Sequence, residues 1–311
     1  MIRAYVNFAL IKYWGKKDDE LRLPNQASLS FTVDKLYTET SVEFNSNLKE
    51  DNVTINGVMN DPKMSKRVIK HLNYIRGLYN EPRFAYVNSI NYVPTAAGLA
   101  SSASSFAALT AAAIDDLEVK VTKDELSRIS RIGSGSASRS IYGDFVVWNT
   151  GNDKESIGTK LDVKWPEFRI IVCLVSRDIK KHSSSKTMDL SVKNVEKYSK
   201  WVKESKEDLD NMLIALYNKD IDSVGLIAEN NSNHMHDLIE STGIKYKNED
   251  SYTLINRIED MRKSGIKAYY TMDAGPNVKI ITVADQVDLI LNNIRDYETI
   301  VCEAGKDIHK V

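Results

Sequence analysis

Pro94-Thr-Ala-Ala-Gly-Leu-Ala-Ser-Ser-Ala-Ser104 begins as a turn and ends as a helix. Gly98 and its small neighbours let the backbone fold tightly and approach a ligand closely. Behind the run, Phe106, Leu109, Ala113 and Leu117 recur at spacings that predict a helix with one buried stripe. A turn feeding a helix start offers free N–H groups and the positive end of the helix dipole to an anion. Ser101, Ser102, Ser104 and Ser105 add hydroxyl donors. The same residues also suit a plain Gly/Ser turn ahead of an Ala-rich core helix, so neighbouring sequence must decide.

Working outward, strand and helix patterns mix from end to end. Short strand-like runs at Ser28–Val33 and Tyr37–Val42 precede a helix marked by Val68, Leu72, Ile75 and Tyr79, and the strand Arg83–Tyr92 leads into the opening run. Thr122 and Glu125 form a capping box for a helix that carries Leu126 and Ile129 and stops at Gly133 as its C′ residue. Strands follow at Phe145–Trp148 and Phe168–Val175, then a long helical stretch from Met188 to Leu216, as two helices or one broken one. A helix through Leu254, Ile258 and Met261 ends at Gly265, and strands Ile266–Thr271 and Val278–Val283 flank the turn Met272–Asn277. The expected fold is α+β in two lobes, 1–178 and 179–311, with a cleft between them.

Composition narrows the function classes. With 311 residues, 42% hydrophobic and 27% charged, the chain can bury a sizeable core. A formal charge of −1 gives no global pull toward nucleic acid or acidic membranes, so an anion site must be a local cluster. No stretch approaches a membrane span and no leader-like start is visible, which makes a cytoplasmic enzyme with no membrane partner the default. The two cysteines, Cys173 and Cys302, exclude a disulfide framework and a CxxC zinc site, and Cys173 reads as a packed thiol in a buried strand. His234 and His236 sit two apart, wrong for a helical metal pair, so no metal-ligating residues are assigned. GxSxG, HExxH and GxxxxGK[ST] are all absent.

Four constellations carry chemistry. In Asn7-Phe-Ala-Leu-Ile-Lys-Tyr-Trp-Gly-Lys16, Lys12 and Lys16 would share a face of a strand or a helix and suit a diphosphate; a lysine-protected strand edge is the alternative. Gly133-Ser-Gly-Ser-Ala-Ser-Arg-Ser140 misplaces its glycines for a dinucleotide fingerprint, but offers Arg139 for bidentate contact with a carboxylate or phosphate, unless it is a solvent-facing turn. Asp273, on the Pro-stiffened turn Met272–Asn277, can orient a hydroxyl for phosphoryl transfer or simply close an Asx-turn. Lys180-Lys-His-Ser-Ser-Ser-Lys186 could close over an anion or remain a solvated charge run.

As a set, in this order and separation, the first three motifs and the opening run closely resemble diphosphomevalonate decarboxylases of the GHMP kinase superfamily, over nearly the whole chain. The resemblance implies an N-terminal lobe like a ribosomal S5 domain and a C-terminal α+β lobe. It implies ATP and Mg²⁺, diphosphomevalonate as small-molecule substrate, and often a homodimer. Asp273 then matches the catalytic aspartate, Lys12 a lysine near the 3-hydroxyl, and Arg139 the arginine that holds the substrate carboxylate. Asn7, Tyr13, Lys16, Ser134, Ser136 and Ser184 match substrate contacts. Pro94, Ala97, Gly98, Leu99, Ala100, Ser101, Ser102 and Ser104 match the ATP phosphate loop.

The chain departs from the family pattern at Ser183-Ser-Ser-Lys-Thr-Met188, where Ser185 replaces an arginine and Thr187 a glycine, and at Gln26, Tyr142-Gly-Asp144 and Ala304-Gly-Lys-Asp307. A kinase that stops at phosphorylation, and a decarboxylase acting on mevalonate or its monophosphate, are the rival activities; a non-catalytic ligand-binding member is the rival of another class.

Overall fold

The structure, a computed structural model, describes residues 1–94, 101–176 and 182–311, with only the backbone of Lys63. The sequence Ile2–Ile11 is apolar almost throughout, and it forms β1, buried at all but one position because strands flank it and helices cover it. β1 pairs antiparallel with β4 (Ser28–Asn45) and β14 (His309–Lys310). The sheet continues through β7 (Phe84–Tyr92), β5 (Asn52–Ile55) and β6 (Val58–Met59), while β8 (Asp144–Trp148) pairs β4 and carries β9 (Gly158–Lys160). β2 (Lys16–Asp18) and β3 (Leu23–Pro24) make a separate ribbon.

Two runs expected as separate strands, Ser28–Val33 and Tyr37–Val42, are one strand, β4. The residues between the two runs, which include Asp34 and Lys35, form a bulge: the ladder jumps from Tyr5↔Tyr37 to Asn7↔Thr32. The bulge receives the C-terminal segment, since Val33 bridges Ala304 and the Asp34 N–H donates to the Glu303 carbonyl at 3.1 Å.

Helices α1 (Pro62–Tyr79), α2 (Ser101–Asp116) and α3 (Lys123–Gly133) pack on this sheet around Val42, Phe44, Leu72, Phe106, Leu109 and Ile129. The capping box of Thr122 and Glu125 is formed. Gly133, expected as a left-handed cap, is the last helical residue, followed by extended Ser134. It is glycine because a Cβ there would strike the Phe106 ring.

The second sheet runs β11 (Tyr269–Met272), β12 (Val278–Val283), β10 (Phe168–Leu174), β13 (Glu298–Cys302), all antiparallel. β10 sits inside it, so the change of sheet precedes Phe168 rather than falling near residue 180. One face is covered by α7 (Glu249–Lys263) and α8 (Val287–Asn293). The other meets the first sheet in one core that includes Phe8, Phe31, Phe168, Ile170, Ile281 and Leu216. The two lobes are therefore joined by packed apolar side chains.

The long helical stretch is broken, giving α4 (Ser184–Ser191) and α5 (Val195–Tyr217). α6 (Ile221–Glu240) escaped the sequence reading because Glu229, Asn231, Ser232 and His236 interrupt its buried face. No helix among the described residues is long and apolar enough to cross a membrane.

Two of the family departures meet each other. The Gly143 N–H donates to Asp307 Oδ1 at 2.8 Å, and Lys160 bridges Asp144 (2.8 Å) and Asp307 (3.2 Å). Glycine is needed at 143 because a Cβ there would strike the Gly305 carbonyl, and at 305 because a Cβ there would strike the Val33 carbonyl.

Candidate active site

The end of β1 is anchored before it delivers any chemistry. The Trp14 carbonyl accepts from Gln26 Nε2 (3.1 Å), Tyr198 Oη (3.2 Å) and Trp201 Nε1 (3.3 Å), and its own indole donates to Ser191 Oγ at 3.0 Å. Gly15 then turns the chain at φ +100°, where a side chain would be strained and would meet Tyr198. Lys12 and Lys16 thus lie on either side of a bend, rather than on one strand or helix. Both still line one cavity of about 560 Å³.

Lys12 is almost wholly buried and donates to the Ala9 carbonyl at 2.8 Å and to Asp273 Oδ1 at 3.1 Å. Asp273 follows β11 directly, on the turn into β12, and its Oδ2 lies 3.0 Å from Lys279 Nζ. That second contact is an ion pair, and it leaves Oδ2 covered from solvent. Burial pulls the Asp273 carboxyl pKa up, but Lys12 and Lys279 outweigh it and hold the group well below the usual carboxylate range. Lys12 is lowered to about 8, by burial first and against the pull of Asp273. Lys279 was missed in the sequence, although a lone lysine in the apolar strand Val278–Val283 was a readable signal.

Arg139 follows a short 3-10 turn, Gly135–Ser138, and is 2% exposed. Its Nε donates to Asn7 Oδ1 at 3.3 Å and its Nη1 to Ser28 Oγ. Asn7 Nδ2 donates to the Ser136 carbonyl (3.1 Å) and to Ser140 Oγ (2.7 Å), so β1 and the turn are tied together. Burial lowers the guanidinium to about 10, still a cation at neutral pH. Among the described residues it forms no ion pair, and Asp273, the nearest opposing charge that acts on it, only partly offsets burial, so a directed positive charge lines the cavity.

Tyr13 packs edge-on against Trp148 at 4.6 Å between centroids. Lys16 reaches Asp189 of α4 at 3.1 Å and Ser185 Oγ at 3.4 Å. Ser134 Oγ lies 3.4 Å from Ser102 and 3.3 Å from Ser136. Ser184 lies at the start of α4, whose N-cap, Ser183, accepts from the Lys186 N–H at 3.3 Å. Thr187, where the family pattern has glycine, is inside α4 and its hydroxyl meets Tyr246 at 2.8 Å. Arg22, Arg67 and Lys70 also line the cavity and were not singled out in the sequence; they come from separate segments with no motif. Six basic side chains face a single carboxylate there, among the described residues.

A second cavity of about 400 Å³ adjoins the first through Ser102 and Arg67 and is walled by Val68, Val87, Phe106 and Leu109. Ser101 lines it. Ser104 does not: it is wholly buried, and its hydroxyl meets Thr38 at 2.8 Å, so it supports the lobe rather than a ligand. Pro94 closes the segment after β7 and lines neither cavity. Ala97, Gly98, Leu99 and Ala100, like Lys180 and Lys181, lie outside the described residues.

Residues 4–158 match the family model of the diphosphomevalonate decarboxylase-like N-terminal domain, and residues 170–309 that of the mevalonate 5-diphosphate decarboxylase C-terminal domain. The chain belongs to the diphosphomevalonate decarboxylase family. It is 33% identical to the diphosphomevalonate decarboxylase of Ganoderma lucidum, covering 94% of this chain and 80% of that one, and 34% identical to that of Homo sapiens, covering 91% and 76%. It is also similar to the mevalonate diphosphate decarboxylase structures from Enterococcus faecalis (TM-score 0.94, 36% identity, 99% and 97% covered) and Staphylococcus aureus (TM-score 0.95, 35%, 100% and 97%). A further structure, of a protein in complex with MVAPP, AMPPCP and magnesium, has a TM-score of 0.95 at 36% identity, with 99% and 97% covered. The diphosphomevalonate decarboxylase models divide near residues 158–170, where the sheets also change.

Proposed function

We propose that this chain uses ATP to convert (R)-5-diphosphomevalonate into isopentenyl diphosphate, carbon dioxide, ADP and phosphate, and that the larger cavity is where it does so. The observation that carries the reading is the part-buried Asp273 carboxylate held between two buried lysines, Lys12 and Lys279, beside a buried Arg139 that has no ion pair of its own among the described residues. A substrate with a carboxylate at one end, a tertiary hydroxyl in the middle and a diphosphate at the other presents matching groups. Arg139 takes the carboxylate, Asp273 accepts from the 3-hydroxyl, and Lys16, Arg22 and the Ser134–Ser136 turn face the diphosphate.

Asp273 is a weak base where it stands, because two lysines stabilise its ionised form. Its work is to align the hydroxyl for attack and receive the proton as the γ-phosphoryl group arrives. Lys12, at hydrogen-bond distance from Asp273, then faces charge that builds on the transferring group. The new phosphate leaves with the C3–O electrons. Loss of the carboxylate as carbon dioxide supplies the pair that forms the C2=C3 bond. Arg139 keeps the C1–C2 bond aligned for that departure.

The smaller, apolar-walled cavity suits the base of the nucleotide, with Ser101 and Ser102 toward its phosphates. No group of three metal-ligating side chains occurs among the described residues. Ser102, which lines both cavities, is the protein oxygen that would be on offer to magnesium, and the ion would supply charge neutralisation on the nucleotide.

The test offers ATP with mevalonate, its 5-phosphate or its 5-diphosphate, and measures ADP and carbon dioxide separately. Stoichiometric release of both, with the diphosphate preferred, is the expected result. ADP without carbon dioxide would make the chain a kinase.

A further inference from the structure

Lys12 and Asp273 come from different lobes, and one ion pair does not by itself fix the spacing of two side chains. Helix α6 holds both of their backbones. Asn231 is wholly buried; its Oδ1 accepts from the Lys12 N–H at 2.8 Å, and its Nδ2 donates to Asp208 Oδ2 of α5 at 2.8 Å. The next residue, Ser232, is also wholly buried. Its Oγ accepts from the Met272 N–H at 3.0 Å and lies 3.2 Å from the Met272 carbonyl, one residue before Asp273. β11 is an edge strand, and α6 side chains meet its N–H groups there: Glu229 accepts from Tyr270 at 2.9 Å as Ser232 does from Met272.

We propose that Asn231 and Ser232 are positioning residues that set the distance between the Lys12 ammonium and the Asp273 carboxylate; the proposal rests on the role given to that pair above. Adjacent residues of one helix are a rigid spacer, about 1.5 Å apart along its axis. Asparagine suits its position because it must accept from an amide and donate to a carboxylate at once. Neither residue lines the cavity, so both act on rate and not on ligand contact.

Asn231→Ala, assayed per folded molecule, is expected to lower kcat by ~10- to 100-fold, with KM for ATP and diphosphomevalonate within ~3-fold of wild type. Ser232→Ala, which removes one oxygen, should show the same split. In the double variant Asp208→Asn with Asn231→Asp, donor and acceptor exchange places while the Lys12-facing oxygen remains. It should recover most of the lost kcat. Wild-type kcat in Asn231→Ala, or a loss carried by KM alone, overturns the proposal. So does a double variant that melts like wild type yet stays as slow as Asn231→Ala. Asp273→Asn separates the two ideas: if it is inactive while Asn231→Ala is normal, only the positioning role fails, whereas an active Asp273→Asn removes the reading beneath it.

Discussion

Asp273 divides its two oxygens between two lysines, and this sets the pH behaviour of the site. Its folded pKa is depressed, so its contribution to stability is fully present above about pH 4, the unfolded value, and is lost as the pH falls below that. Activity should hold through mildly acidic pH for the same reason. On the alkaline side kcat should fall above about pH 8, as Lys12 loses its proton. Lys279→Met removes one of the two lowering charges, so the acid limb of the pH–kcat profile should move up toward the ordinary carboxylate range; an unmoved limb would detach Lys279 from the mechanism. Asp273→Asn should cost at least ~10³-fold in kcat, since alignment and proton acceptance go together. Arg139→Lys should lose ~10²- to 10³-fold, because a point charge cannot replace the planar fork that meets Asn7 and Ser28, and carbon dioxide release by stopped assay would reveal it. Lys12, Arg139 and Asp273, which line one cavity, could be singled out in the sequence because each stands inside a long local motif. Asn231 was not, since its partners lie on β1 and α5, far away in sequence.

Single elements show where local reading succeeds. α1, β7, α3 and the hairpin around Asp273 follow from periodicity, capping and turn residues, all of which act between near neighbours. β4 and α6 were misread for a shared reason: polar residues that serve tertiary contacts look like breaks in a pattern. Asp34 and Lys35 form a bulge for the C-terminal segment, while Asn231 of α6 holds Lys12 at the end of β1 and Asn233 meets Tyr270 of β11. Gly133 shows a residue type read correctly and its cause wrongly, as a packing partner of Phe106 instead of a left-handed cap. That distinction has a measurable consequence. Gly133→Ala should destabilise by ~1–3 kcal/mol through overpacking, and Phe106→Leu in the same chain should recover part of the loss by opening space. A true left-handed cap would show no dependence on Phe106 in urea melts.

At the scale of the whole molecule, strand order and not sequence order decides which lobe a segment joins. β10 precedes the helical stretch but lies between β12 and β13, and no local signal announces that. Charge shows the same separation of local from global. The chain carries −1 overall, yet six basic side chains gather around one carboxylate in the larger cavity. These cations come from distant segments, so composition could only demand a local cluster without locating it. Lys12 and Lys16 have carboxylate partners, but Arg22, Arg67, Lys70 and Arg139 have no ion pair among the described residues, and such an arrangement is stabilised by whatever polyanion binds. Inorganic pyrophosphate at ~100 times its dissociation constant should therefore raise unfolding free energy by ~2.7 kcal/mol, seen as a higher melting midpoint. Lys16→Met should shrink that rise, while Lys310→Met, on the exposed edge beside Asp115, should leave it unchanged. Added salt should raise KM for the diphosphate substrate with little effect on kcat, because screening acts on encounter with the partly open cavity more than on the two buried lysines that hold Asp273. If kcat fell with salt as steeply as affinity, the reacting charges would have to be solvent-exposed, contrary to the burial of Lys12 and Lys279.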